Sequence, residues 1–245
     1  MNTDSKKTGA RRKDQLRETA IELYPTAAAG SVMMRQGQTQ VLCTASLAQD
    51  VPRWLVDPQT GAARKGWVTA EYAMMPGSTP DRKRRGADGR STEIQRLIGR
   101  SLRAAVDLHK MPGISITCDC DVIVADGGTR TASITGAFVA LAQAIASARA
   151  AGLITGNPVR GPVAAVSVGM VDGRAQLDLD YDLDSRAGVD MNVVMDHRGQ
   201  YIEIQGTGEG TTFSPEELEE MLALARRGVR ALIREQRRAI RQMKP

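Results

Sequence analysis

The chain has 245 residues, of which 42% are hydrophobic and 25% charged, and it carries a net charge of +5. That is enough chain for one large domain or two similar halves around a sizeable core, and it is the composition of a globular protein. Aromatic residues are only 3%, which argues against a base-stacking platform, and no apolar run approaches the ~20 residues needed to cross a bilayer.

The positive charge is clustered in "KKTGARRK" at 6–13, "DRKRRGADGR" at 81–90 and "ARRGVRALIREQRRAIRQ" at 225–242. Such clusters are either solvated faces or the footprint of a polyanion, and with so few aromatics a nucleic-acid partner would be held by its phosphates. The first residues contain no apolar stretch of the signal-peptide type, so the expected compartment is the cytoplasm and no membrane association is expected. Cys43, Cys118 and Cys120 are an odd number with no zinc-like spacing, and are expected to be small buried hydrophobes in a reducing environment.

In chain order, "GSVMMRQGQTQVLCTASL" (30–47) predicts two strands turning at Gly37-Gln38, and "GWVTAEYAMM" (66–75) another strand closed by Pro76-Gly77. The stretch 77–89 has no periodicity and reads as a loop. From about Ser91, Ile94, Leu97, Ile98 and Leu102 recur at helical spacing. "ISITCDCDVIV" (114–124) reads as a strand, and the alanine-rich stretch from Thr131 as a helix. "VAAVSVGMVDGRAQLDLDY" (163–181) predicts a hairpin at Asp172-Gly173, and 188–206 another turning at about Asp196–Gly199. Ser214-Pro215-Glu216-Glu217 has the form of a capped helix start, with Leu218, Met221, Leu222, Ala225, Val229 and Leu232 on the inner stripe of the helix that follows. Hairpins followed by a helix, twice over, predict an α+β (mixed α/β) fold. Its two similar halves would form one domain over residues 1–245, crossing near 152–162.

Two stretches carry chemistry. "ADGGTRTASITGA" (125–137) puts two glycines, Thr129 and Arg130 where a strand hands over to a helix. This is either a plain turn or an anion seat, because a helix N-terminus offers free N–H groups and partial positive charge. Arg90, just before the other long helix, would be a second guanidinium at a helix start. "LDLDYDLDS" (177–185) alternates aspartates at 178, 180, 182 and 184. Such a row implies a bound cation or facing arginines, and hard oxygen donors in small number suit Mg²⁺ or Mn²⁺. Asp178 and Asp184 would be roughly 20 Å apart on a straight strand, so sharing an ion requires a turn near Tyr181–Leu183. The pattern alone does not select among the four. His109 and His197 stand in no triad-like context and read as surface residues.

"GWVTAEYAMMPGST", "GRSTEIQRLIGRSLRAAVDL", "DCDVIVADGGTRTASITGA", "DSRAGVDMNVVM" and "IEIQGTGEG", in this order, resemble the bacterial ribonuclease PH family. That family is similar to polynucleotide phosphorylase and the ring subunits of the exosome. The resemblance implies a phosphate-dependent 3′→5′ exoribonuclease that trims precursor tRNA, releases nucleoside diphosphates, runs in reverse as a nucleotidyltransferase, and assembles as a homo-hexamer. It implies a site for phosphate, the co-substrate, at Arg90, Gly128, Thr129 and Arg130, catalytic and metal-binding roles for Asp178 and Asp184, and RNA or subunit contacts at Arg82, Arg85 and Arg100. The chain departs from the family pattern at Leu183, where glutamate is usual, at Arg85-Gly86 in a shortened loop, at Ala10, and at Gly208, where alanine is commoner. A hydrolytic metal-dependent nuclease and a catalytically silent ring subunit are the competing readings.

Overall fold

The computed structural model describes residues 11–86 and 88–243, so most of the first basic cluster (residues 6–10 of 6–13) lies outside the described residues. Five strands form the first sheet: β1 (Thr19–Leu23), β2 (Gly30–Gln36), β3 (Thr39–Ala48), β4 (Trp67–Met74) and β5 (Ser115–Val124). Their order is β1-β2-β3-β5-β4, all antiparallel except β4 and β5, which run parallel. A parallel pair needs a long crossover, and α1 (Gly89–Ala104) lies within it. Hydrophobic patterning found β2 to β5 but missed β1, a short strand of which only Ile21 is buried, and it held no information on which neighbour β4 would choose.

The second sheet, ordered β7-β6-β8-β9, is antiparallel throughout: β6 (Val163–Val171), β7 (Arg174–Leu177), β8 (Val189–Asp196) and β9 (Tyr201–Gly208). A four-residue turn of helix, α3 (Tyr181–Asp184), separates β7 from β8, and α4 (Pro215–Gln242) ends the fold. The mixed α/β architecture expected from the sequence is present. The second half repeats the hairpin-then-helix plan but lacks a parallel strand.

Between the sheets runs α2 (Thr129–Ala150), packed on β2 and β3 of one sheet and β6 of the other. Its apolar residues leave it no polar stripe, and most of its positions are buried. By length and composition alone α2 would pass for a membrane span, contrary to the expectation that no such run exists. Its burial between two sheets accounts for that composition. Buried residues of both halves form one continuous apolar cluster, with Cys43, Cys118 and Cys120 inside it as free thiols.

Both outer helices start on side-chain caps. Asp88 accepts from Ser91 N–H at 2.7 Å while Ser91 Oγ accepts from Asp88 N–H at 2.8 Å. The α1 helix therefore begins at Gly89 rather than Ser91, and Arg90 belongs to its first turn. Ser214 and Glu217 make the same reciprocal pair for α4. On α4 the buried face includes Leu224, Ile233 and Gln236, whereas Leu218 and Leu222 are only half-buried. Gln236 donates to Thr135 O at 2.9 Å and Val163 O at 2.8 Å, tying α4 to α2 and β6.

Candidate active site

The entrance to α2 is built from backbone. Gly127 and Gly128 both have left-handed φ, 69° and 65°. A Cβ on Gly127 would lie 2.6 Å from Leu179 O and the Asp180 carbonyl carbon, so only glycine lets the turn pack against the end of the acidic stretch. Gly128 is the N-cap of α2 and supplies no side-chain cap to the helix N–H groups. Thr129 is buried, with its hydroxyl 2.8 Å from Tyr72 Oη. Arg130 is mostly buried, with its nearest carboxylate, Glu93, 4.0 Å away.

Arg90 lies in the first turn of α1 and lines a cavity of about 960 Å³ together with Tyr72, Lys83, Arg84, Arg85, Ser91 and Asp121. The positive charges of Arg90 and Arg130 bear on the same three groups: Tyr72, Asp184 and Asp190. Two helix starts far apart in sequence thus place their positive charges within electrostatic reach of the same groups.

Carboxylates stand beside them. Desolvation raises the pKa of Asp184, with Arg90 and Arg130 pulling it down and Glu209 pushing it up. Asp190, half-buried at the start of β8, is pushed up to about 6 by burial first and by the Asp184 charge second. Asp184 and Asp190 supply hard oxygen donors of the kind that suits a divalent cation completing its shell with water. Among the described residues no group of three or more such ligands forms a ready-made metal cage.

Asp178 departs from expectation. Its carboxylate is 1% exposed and is occupied by Arg17, which donates from its backbone N (2.7 Å) and Nε (3.1 Å) to Oδ2 and from Nη2 (2.7 Å) to Oδ1. An ion shared by Asp178 and Asp184 would require Arg17 to let go. The carboxylate on which the Asp184 charge bears is Asp190. The expected turn near Tyr181–Leu183 is α3, capped by Asp180, whose carboxylate accepts from Leu183 N–H at 3.0 Å. Asp182 is exposed.

The model of the 3′ exoribonuclease family, domain 1, matches residues 15–146, and that of domain 2 matches residues 161–228. The chain belongs to the 3′ exoribonuclease family. It is 50% identical over 244 residues to ribonuclease PH of Corynebacterium efficiens, covering 97% of this chain and 98% of that one. It is 52% identical over 236 residues to ribonuclease PH of Corynebacterium glutamicum, covering 94% of each. Among solved structures, an Archaeoglobus fulgidus exosome with RNA bound to the active site superposes with TM-score 0.77 at 22% identity, covering 92% of this chain and 90% of that one. Rice Rrp46 superposes with TM-score 0.73 at 20% identity, covering 95% and 97%. Family membership makes this chain a phosphorolytic 3′→5′ exoribonuclease, as its motifs implied.

Within this family frame the departures acquire physical reasons. Leu183, standing for the usual glutamate, packs on a small apolar cluster of Val171, Leu179 and Ala187. At Gly208 a Cβ would meet Thr211 O at 2.2 Å, so glycine permits the tight loop that carries Glu209 towards Asp184 and Asp190. Arg100 is engaged within the chain: it forms a two-pronged pair with Glu203 of β9, at 3.0 and 2.6 Å, joining the halves. Arg85 lines the cavity beside Arg90, whereas Arg82 is exposed in the loop outside it.

Sequence reading missed Tyr72, Arg17, Asp190 and Glu209. Asp190 is a lone aspartate opening an apolar strand, and nothing in its neighbours' pattern distinguishes it. Its place follows from the pairing of β8 with β6 opposite Gly169.

Proposed function

We propose that inorganic phosphate sits at the uncapped entrance of α2, held by backbone N–H groups of the Gly128–Arg130 turn, the Thr129 hydroxyl and the guanidinium groups of Arg90 and Arg130. The observation that supports this most is the convergence of both arginine charges on Asp184, Asp190 and Tyr72. Phosphate at neutral pH would be repelled by the RNA diester it must attack. Two arginines and a helix end offset that repulsion and hold the reactants in line, an orientation effect of up to ~7–11 kcal/mol.

An oxygen of the bound phosphate attacks the phosphorus of the last internucleotide diester. The bond to the 3′ oxygen of the preceding nucleotide breaks, and that oxygen takes a proton. A nucleoside diphosphate and an RNA shorter by one unit leave. Asp184 and Asp190 would hold a divalent ion, Mg²⁺ or Mn²⁺, which when bound would supply stabilisation of charge on the transferring phosphoryl group and the departing oxygen. Arg17 keeps Asp178 beneath the site as a support for the phosphate turn. Because the bond broken and the bond made are similar in energy, the reverse reaction extends RNA from nucleoside diphosphates.

The substrate proposed is the 3′ trailer of precursor tRNA, entering along the cavity of Lys83, Arg84 and Arg85. The proposed assembly is a homo-hexameric ring, the assembly that the resemblance implies. Incubating a 3′-labelled RNA with Mg²⁺, with and without phosphate, tests the reaction. Diphosphate products that need phosphate are expected, and monophosphates formed without it would establish a hydrolytic nuclease instead.

A further inference from the structure

Tyr72 has a feature that its place in a core strand does not require. Its ring is buried in β4, 4% exposed, yet its hydroxyl reaches the first residue of α2 and lies 2.8 Å from Thr129 Oγ1. The same tyrosine lies within the field of both Arg90 and Arg130, which oppose the rise in its pKa that burial causes. The hydroxyl therefore lies directly beneath the proposed phosphate seat, on the side away from solvent.

Proton counting gives the contact a direction. A threonine hydroxyl has one proton and two acceptor lone pairs, and a phosphate oxygen can draw a hydrogen bond only from a group with a proton to give. If Thr129 gave its proton to Tyr72, it would turn a lone pair towards the anion and repel it. If Tyr72 gives its proton to Thr129, the Thr129 proton is free to point at phosphate. A buried tyrosine stays protonated at neutral pH and can hold the second arrangement. No other hydrogen bond involves the Thr129 hydroxyl among the described residues.

We propose that Tyr72 is a positioning residue for phosphate: its hydroxyl donates to Thr129 Oγ1 and so aims the Thr129 proton at an oxygen of the attacking phosphate. This deepens the reading under Proposed function and rests on it. Tyr72 never touches the phosphate; it removes the rotational freedom of the group that does. The chain of two hydroxyls also strengthens the outer hydrogen bond, because a hydroxyl that accepts one becomes a better donor.

The test is steady-state phosphorolysis of a short RNA with phosphate varied from well below to well above its KM, on Tyr72→Phe, Thr129→Val, Thr129→Ser and the Phe/Val double variant. Expected is a KM for phosphate raised about 2- to 12-fold in Tyr72→Phe, the loss of one neutral hydrogen bond that orients the Thr129 donor, with KM for RNA unchanged within about twofold. The double variant should be no worse than Thr129→Val alone, and Thr129→Ser should recover most of the phosphate affinity that Thr129→Val loses. An unchanged phosphate KM in Tyr72→Phe, or fully additive losses in the double variant, overturns the proposal. If Tyr72→Phe does not fold, the threonine pair decides: Thr129→Val binding phosphate as tightly as Thr129→Ser overturns it too. A wild-type enzyme that needs no phosphate would instead refute the reading on which this inference rests.

Discussion

Arg17 and Asp178 lie 161 positions apart and close on each other with three hydrogen bonds of 2.7 to 3.1 Å. Asp178 reaches this pairing through a left-handed φ of 61°, a conformation that aspartate tolerates better than most residues. Arg17 also donates to the carbonyls of Asp126 and Gly127, so a single guanidinium joins the acidic stretch to the phosphate turn. Arg11 adds bonds to the Leu177 and Asp178 carbonyls at 2.9 and 2.7 Å.

Breaking that pair takes from buried Arg17 the carboxylate that accepts three of its hydrogen bonds and leaves only the looser Asp126 at 3.7 Å. Asp178→Ala is expected to destabilise the protein by about 3–5 kcal/mol, lowering the melting temperature by roughly 6–20 °C, with activity lost along with it. Thermal unfolding followed by circular dichroism checks this. A variant as stable as wild type but inactive would return Asp178 to a direct catalytic or metal-binding role.

Asp184→Ala and Arg130→Ala should separate the same two quantities in the opposite sense. Each is expected to reduce phosphate-dependent trimming at least ~10²-fold, while melting temperature and oligomer size by light scattering stay near wild type. Wild-type rates in either variant would show the site to be misassigned.

Asp190 gives a pH signature in metal-free protein. Its folded-state pKa of about 6 lies above the unfolded value of about 3.9, so the folded state holds the proton more tightly. The stability this contributes is full below about pH 4 and is lost as pH rises through about 6. Asp190→Asn removes the ionised form, so it should be more stable than wild type at pH 8, by about 1–2 kcal/mol after allowing for solvent screening. The gap should close below pH 4 in denaturant titrations. Added Mg²⁺ should stabilise wild type at pH 8 and Asp190→Asn much less. A gap that is constant with pH would contradict the titration.

Arg85 and Arg100 should part company in RNA binding. Arg85 lines the cavity, and Arg85→Ala is expected to weaken RNA binding and reduce the slope of log K against log salt by about 0.7, one phosphate contact to a single strand. Arg100 is committed to Glu203, an exposed pair expected to contribute about 0–1 kcal/mol. Arg100→Ala should leave the salt slope unchanged. Salt titrations of fluorescence anisotropy distinguish the two.

Much of this protein was legible in one dimension because the signals are local. The hairpin turn at Gly37-Gln38, the apolar face of α1, the caps of α4 and the strand-to-helix joint at Gly127-Gly128 each depend on residues within a few positions of one another. The same holds for Arg90 and Arg130: each stands at a helix start, and motif order assigned them a shared role before any contact was known. The helix boundary at Gly89 was less legible because the cap is Asp88, hidden in a charged loop.

What the order of residues determined by itself was most of the elements and the groups with the chemistry to meet phosphate; β1 and the start of α1 were left to the fold. Only the folded chain decided which carboxylates stand open. Alternation along 177–185 treats four aspartates as equivalents. Folding buries one under Arg17, spends the next on capping α3, and leaves the last two exposed, of which only Asp184 bears on Asp190 of another strand. A carboxylate's role depends on what lies within a few ångströms of it, and at this site those neighbours come from chain segments that no sequence period relates.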